Sequence, residues 1–282
     1  AGGMMRYGIP EYRLPYDQID KDINYIASLG VEFKYNITVG KDITLDQLSK
    51  DFDAVFSGTG LHLGRSTRIP GSDNENVYQS VDLLRDIVTG KPVPVMPKVV
   101  VIGGGNVAMD ITRSMARLQM EKYGKVDVLA TSLEDEDFMP ADREEIVEAR
   151  EEGCTIVPGY GPQEVVLENG KLKGLKVWKC LSIFDENKAF NPKFDSAQER
   201  IFEADMVIES IGQGMDLSYL TEEIKSKIEF NNRGRIVVDA DYQAKGLPWL
   251  FVGGDIIEGP DVIHGIANGH RAAMGIDRFL NG

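Results

Sequence analysis

The residues whose types and spacing best suit chemistry lie just past the first third of the sequence. There Lys98-Val99-Val100-Val101-Ile102 runs straight into Gly103-Gly104-Gly105-Asn106-Val107-Ala108. Gly-x-Gly-x-x-Ala between a hydrophobic strand and a helix is a fingerprint for binding the pyrophosphate of a dinucleotide. Each residue type has a reason. Gly103 permits the tight turn, Gly105 lets the backbone approach the phosphates, and Ala108 lets helix and strand pack closely. The loop through Asn106 and Val107 leads to a helix N-terminus, whose N–H groups and positive dipole end suit an anion. The alternative is a glycine-rich turn that holds no ligand, and the strand before it and helix after it argue against that.

The kind of dinucleotide depends on the end of the next strand. A carboxylate there bonds both ribose hydroxyls and repels a 2′-phosphate, whereas arginines do the reverse. The sequence reads Thr131-Ser132-Leu133-Glu134-Asp135-Glu136-Asp137, with no arginine or lysine between Lys125 and Arg143. The pattern therefore favours NAD(H) over NADP(H), with Glu134 as the ribose contact. Glu134 falls later than the usual spacing of about 20 residues, so a merely solvated acidic loop stays open as the alternative.

These residues need a βαβ unit to position them, and the flanking pattern supplies one. The β-branched run 98–102 suits a strand buried on both faces of a parallel sheet. Helical character follows over 109–123, capped by Gly124, and then a second strand over 126–130. The stretch 90–97, with three prolines, reads as a linker. Upstream, the patterns predict a helix over 15–29, a strand over 31–36, a helical turn over 45–50, a strand over 53–56 and a helix over 78–89. Downstream they predict a helix over 143–152, a strand beginning at 155–157, and a hairpin of 164–167 with 172–178 about Asn169-Gly170. Further strands are expected over 205–211, 235–238 and 250–252, and a last helix over 262–280.

Composition narrows the field. The 282 residues suit two domains, and a formal charge of −14 argues against a nucleic-acid or anionic membrane surface. No apolar run approaches the roughly 20 residues of a bilayer span, and no basic-then-apolar leader opens the sequence. Cys154 and Cys180 form no Cys-x-x-Cys pair, so a redox disulfide of that type is not expected, and this chain alone cannot ligate an iron–sulfur cluster. Cysteines this sparse suit a reducing cytoplasm. His62, His264 and His270 lack metal-ligand spacing, so no metal is expected.

Several further segments share one resemblance. Gly2-Gly3-Met4-Met5-Arg6-Tyr7-Gly8-Ile9-Pro10-Glu11-Tyr12-Arg13-Leu14-Pro15, Asp53-Ala54-Val55-Phe56-Ser57-Gly58-Thr59-Gly60 and Gly103–Asp110 resemble segments of the glutamate synthase small-subunit family. So do Asp205–Gln213, Phe251-Val252-Gly253-Gly254-Asp255 with Gly259-Pro260, and Ala267-x-Gly269-x-x-Ala272-Ala273. They occur in the family's order over nearly the whole chain. The resemblance implies an α/β fold of two dinucleotide-binding, Rossmann-like domains, with an NAD(P) domain inserted into a split FAD domain. The boundaries expected are 1–90 and 215–282 for the two parts of the FAD domain and 91–214 for the NAD(P) domain.

The resemblance also implies FAD as second cofactor. It implies hydride transfer between nicotinamide and flavin, and a partner such as a large synthase-type or other iron–sulfur electron-transfer subunit. An electron-transfer module with no substrate of its own is the alternative. The flavin carries the chemistry, so no catalytic acid or nucleophile is assigned. Gly58, Thr59, Gly254 and Asp255 are expected at the flavin, Asp255 on its ribityl hydroxyls, with backbone N–H groups of Val262 and Ile263 near its N1 and O2. Ile9 and Pro10 would shape that pocket, and Gly212 and Gln213 would lie near the nicotinamide. The family's opening FAD strand, its own glycine loop and its cysteine-rich region have no counterpart here, so the resemblance implies a chain that starts mid-domain and lacks FAD's phosphate cradle. Where relatives using NADPH carry aromatic-Arg-Arg, this chain has Ser132-Leu133-Glu134, which points again to NAD.

Overall fold

The computed structural model describes residues 1–259 and 261–282. Its contacts divide the chain into two compact units, Ala1–Gly30 with Gly64–Gly212, and Val31–Leu63 with Gln213–Gly282.

The first unit is built on a five-stranded, wholly parallel sheet in the order Val77–Gln79, Met206–Glu209, Val99–Ile102, Val128–Ser132, Thr155–Pro158. The unbroken Val-Val-Val-Ile run is explained by what covers each face. Side chains alternate across a strand, and here Val99 and Val101 pack with Leu83, Leu84, Ala108, Met109, Met115 and Ile146 from the helices. Val100 and Ile102 join Val165, Leu172, Leu175, Val177 and Phe202 on the opposite face. That second cover is an antiparallel meander of Tyr160–Glu168, Lys171–Phe184 and Phe190–Glu203. With both faces dry, each apolar residue on the strand contributes on the order of 1.5–3 kcal/mol.

The helix after the glycine loop spans Asn106–Tyr123 and ends on Gly124 in the left-handed conformation, its N–H donating to Met120 O at 2.9 Å. Ser80–Val88 and Arg143–Glu151 are the other helices of this face. At the start of the chain, Tyr16–Ser28 is helical.

The second unit is held by a parallel pair, Val55–Ser57 with Leu250–Val252, and by the helix Val262–Asn281. Leu45, Leu220, Ile224, Ile228, Ile236, Leu247, Leu250, Val252 and Ile256 form its core. Helix Leu45–Asp51 opens on a reciprocal cap between Thr44 and Gln47. Among the described residues, no helix is long and apolar enough to cross a membrane.

The parallel α/β expectation and most elements appear where the patterns put them, including the Asn169-Gly170 turn, whose φ values of 52° and 78° suit a tight hairpin. Three expectations need correction, and one strand was not expected. Residues 31–36 form no strand, since among the described residues they have no ladder to join. The helix expected over 78–89 begins as a strand, because Val77 and Tyr78 pair with Val207 and Ile208. The strand expected over 235–238 is reduced to isolated bridges, Phe230 to Ile236 and Val238 to Ala244. Phe190–Glu203 is a strand that its polar, mostly exposed sequence did not announce.

The compact units also differ from the boundaries 1–90, 91–214 and 215–282. Residues 1–30 pack with the parallel-sheet unit because Arg13 is ion-paired to Asp110 and Glu145, and 64–90 pack there because Val77–Gln79 is its edge strand. Pro260, in the Gly259-Pro260 pair singled out above, lies outside the described residues.

Candidate functional site

The glycine loop sits at the carboxyl end of the parallel sheet, where open α/β sheets bind ligands. Its glycines play different parts. Gly103 has φ 149°, and a Cβ there would lie 2.2 Å from Ser210 O and 3.1 Å from Ala108 Cβ. This glycine is required by the fold, because it lets the turn pass against the neighbouring strand end. Gly104 is held from the other side, its carbonyl accepting from Ala141 N–H at 2.9 Å. Gly105 has ordinary backbone angles, φ −95° and ψ 176°, and a Cβ there would meet nothing within 4 Å. The space over Gly105 is what a cradle for a phosphate group must provide, and the N–H groups of the first helical turn follow it.

Asn106 and Val107 are half-buried and Ala108 is fully buried against the strand. Asn106 exchanges two hydrogen bonds with Asp142: its Nδ2 donates to Asp142 Oδ2 at 3.0 Å, and Asp142 N–H donates to its Oδ1 at 2.8 Å. These bonds and the Ala141–Gly104 bond lock the segment before the helix Arg143–Glu151 against the loop.

Glu134 reaches the same loop. Its Oε2 lies 3.1 Å from where a Cβ on Gly104 would be, and its carbonyl accepts from Ser132 Oγ at 3.0 Å and Gly159 N–H at 2.8 Å. Its neighbours behave differently. Asp135 pairs with Lys179 at 2.8 Å, Glu136 with Arg150 at 2.7 Å and Asp137 with Arg143 at 2.7 Å. Among the described residues, Glu134 is the member of the acidic run outside any ion pair. The solvated-loop alternative therefore fits the other three better than Glu134. The fold also brings in a cation that linear spacing hid, since Lys179 comes from the meander.

Two residues past Ala108, Asp110 is buried under the start of the chain. Arg13 donates to both its carboxylate oxygens, at 2.8 and 2.9 Å, and to Glu145 at 2.7 Å. Tyr12 donates to the Asp110 carbonyl at 3.3 Å and carries the guanidinium of Arg117 3.8 Å above its ring. Burial pushes the Asp110 carboxyl up to about 6 despite Arg13 beside it, and pushes the Tyr12 phenol up to about 12. Beneath them Arg113 is paired with Glu145, Glu148 and Glu152. This network anchors the segment that carries half-buried Ile9 and buried Pro10.

Gly212, φ 101°, is exposed and accepts from Arg65 N–H at 3.2 Å, and the division between the two units falls between it and Gln213. In the second unit, Gly58 and Thr59 follow one strand of the parallel pair, and Gly254 and Asp255 follow the other. The pairing brings these four to the same end, with Gly253 N–H donating to Ser57 O at 3.2 Å. A Cβ on Gly254 would meet nothing within 4 Å, whereas Gly253 is packed on Phe56 and Asn268. Burial, then Asp261, raises the half-buried Asp255 carboxyl.

Val262 and Ile263 are exposed at the start of their helix. Asp261 caps it, its carboxylate accepting from His264 N–H at 2.7 Å. Sequence reasoning passed over Asn268, fully buried in that helix. It accepts from Gly254 N–H at 2.9 Å and donates to Glu258 at 3.0 Å and Tyr242 at 3.2 Å. An asparagine among small residues in an amphipathic helix was the available signal.

Cys154 and Cys180 form no disulfide with each other. Both are buried and free, burial pushes the Cys154 thiol up to about 12, and burial also raises Cys180.

The chain is similar to known proteins in sequence and in fold. The chain is 38% identical to the NADP(+)-dependent formate dehydrogenase subunit beta of Moorella thermoacetica, over 99% of this chain and 39% of that protein. It is 32% identical to the glutamate synthase [NADPH] small chain of Escherichia coli strain K12, over 99% of this chain and 61% of that protein. The chain thus spans between about two fifths and three fifths of the length of these relatives. Among solved structures, Mycobacterium tuberculosis FprA in complex with NADPH superposes with a TM-score of 0.76 at 18% identity, over 99% of this chain and 74% of that one. The pyridine nucleotide-disulphide oxidoreductase family model matches residues 15–273, and the chain belongs to that family.

Proposed function

We propose that the chain forms the nicotinamide-dinucleotide-binding and part of the flavin-binding machinery of a flavoprotein oxidoreductase, with NAD(H) preferred over NADP(H). The observation that carries this is the pair Gly105 and Glu134. One has open space above an extended N-cap, and the other has a carboxylate at the same loop that no cation neutralises among the described residues. In this reading the N–H groups following Gly105 hold the pyrophosphate, Glu134 takes the adenosine ribose hydroxyls, and Asn106–Asp142 keeps the loop closed.

In the second unit, Gly58, Thr59, Gly254 and Asp255 would hold FAD, Asp255 at the ribityl chain. FAD held there would supply redox chemistry, accepting electrons as a pair and releasing them singly. Hence no side chain is assigned proton transfer. Both relatives named above are called subunit or small chain, which supports a partner that receives the electrons, an iron–sulfur subunit by its chemistry. It supports equally an electron-transfer module with no substrate of its own. The free, buried thiols suit a reducing cytoplasm.

Titrating the purified chain with NADH and NADPH by calorimetry tests the reading. Tighter NADH binding is expected. Binding of neither refutes the site, and tighter NADPH binding refutes the role of Glu134. Whether the chain with its partner, or without it, reduces a small acceptor separates the enzyme from the module.

A further inference from the structure

At the carboxyl end of the parallel sheet, on the side away from Glu134, lies a polar cluster that the glycine loop does not use. Glu209 ends its strand in register with Gln79 on one side and Ile102 on the other. It is only 2% exposed. Its Oε1 accepts from Thr67 N–H at 2.7 Å, the Thr67 hydroxyl at 2.5 Å and the Ser66 hydroxyl at 3.3 Å. Its Oε2 accepts from Gln79 Nε2 at 2.6 Å. A buried carboxylate is tolerated only when its lone pairs are filled in this way.

Two polar atoms beside it are left over. Among the described residues, Gln79 Oε1 and Ser210 Oγ are both buried and both lack a hydrogen-bond partner. Orphaned buried polar atoms are exceptional in folded proteins and call for a ligand or water. The orientation of Gln79 is set by chemistry: a carboxylate can only accept, so the amide nitrogen must face Glu209 and the carbonyl oxygen must face away.

The cradle decides which part of a dinucleotide comes here. The glycine loop follows Val99–Ile102, and Glu134 follows the neighbouring strand Val128–Ser132. With the pyrophosphate at Gly105 and the adenosine ribose at Glu134, the other half of the molecule must run the opposite way. That direction leads over the ends of Met206–Glu209 and Val77–Gln79. Ser210 lies against the loop itself, its carbonyl 2.2 Å from where a Cβ on Gly103 would be.

We infer that Ser210 and Gln79 are the polar subsite for the nicotinamide carboxamide, and that Glu209 is the positioning residue that orients Gln79 and ties down the Ser66–Thr67 segment. The chemistry is complementary. A carboxamide offers N–H donors and a carbonyl acceptor; Gln79 Oε1 accepts, and the Ser210 hydroxyl donates or accepts. The inference rests on the dinucleotide reading above and adds which side chains read the nicotinamide half.

The test compares NADH with ADP-ribose, which keeps the adenosine and pyrophosphate but lacks the nicotinamide. Both are titrated calorimetrically into the full chain and into Ser210→Ala and Glu209→Gln. Ser210→Ala removes an unsatisfied hydroxyl, so it should fold at least as well as the parent. It should weaken NADH about 2- to 10-fold, the range for one net hydrogen bond, and leave ADP-ribose within about 2-fold. Glu209→Gln can donate as well as accept, so it no longer dictates which way Gln79 faces. The same NADH-selective loss is expected there, whereas a merely structural role would lower both ligands together. Equal losses for the two ligands, or no loss in Ser210→Ala, would overturn the subsite. Failure of the parent chain to bind ADP-ribose would overturn the dinucleotide reading and the subsite with it.

Discussion

Two glycines of one loop, two residues apart, should fail for opposite reasons. Gly103→Ala places a methyl group 2.2 Å from Ser210 O, at φ 149°, where L side chains are strained. Backbone strain of this kind costs about 1–3 kcal/mol, and an overpacked contact that must be relieved by shifting a strand end costs about as much again. A loss of about 2–6 kcal/mol is a large share of the roughly 5–15 kcal/mol that holds a domain folded. At Gly105 an added Cβ meets nothing within 4 Å and the residue is extended, so the folding cost of Gly105→Val should stay under about 1 kcal/mol. Its isopropyl group would instead occupy the phosphate's space. Displacing two charge-assisted hydrogen bonds, each worth about 1.5–3 kcal/mol, weakens binding by roughly 10²- to 10⁴-fold. Urea unfolding and NADH calorimetry on both variants give the answer. A stable Gly103→Ala, or a Gly105→Val that binds NADH normally, would refute the division of labour and put the phosphates elsewhere.

Other outcomes follow from the same geometry. Glu134→Arg should shift the NADPH:NADH affinity ratio toward NADPH by about 10- to 100-fold, the worth of one charged hydrogen bond; an unchanged ratio assigns the ribose to another residue. Asp110 has a folded pKa raised to about 6 from 3.8, so its protonated form favours the fold. Its contribution is complete below about pH 4 and is lost as pH rises through 6. The stability of the parent relative to Asp110→Asn should therefore rise by at most about 3 kcal/mol between pH 7 and 4, and a difference that stays flat in urea melts would discard the burial argument. Arg113→Met should cost about 1.5–3 kcal/mol, because the Arg113 side chain is 5% exposed and its loss removes charged hydrogen bonds from Glu145 and Glu152, which keep only Arg13 and Arg117 as cations. Thermal melts showing a change under 1 kcal/mol would mean that water reaches those carboxylates.

Much of the architecture was legible in the sequence because it is locally encoded. The run 98–102, the glycine loop, the amphipathic helix to Gly124 and the Asn169-Gly170 turn each carry their period or turn chemistry within a few residues. Patterns failed where a neighbour, not the residue itself, decides the conformation. Val77–Gln79 is extended because Val207 and Ile208 lie beside it, whereas residues 31–36 have equally suitable side chains and no such neighbour among the described residues.

The site divides the same way. Sequence alone placed a glycine loop at Gly103–Gly105 between a strand and a helix, and an acidic run after the next strand, since both depend on chain order. Only the tertiary structure decided which acid of that run stays outside an ion pair among the described residues, because Lys179, Arg143 and Arg150 reach the others from other elements. It alone also placed Arg13 on Asp110, and Glu209 between Thr67 and Gln79. Charges and hydrogen bonds act over a few ångströms of space, and residues about a hundred positions apart in the chain acquire that proximity only when the sheet closes over its two faces.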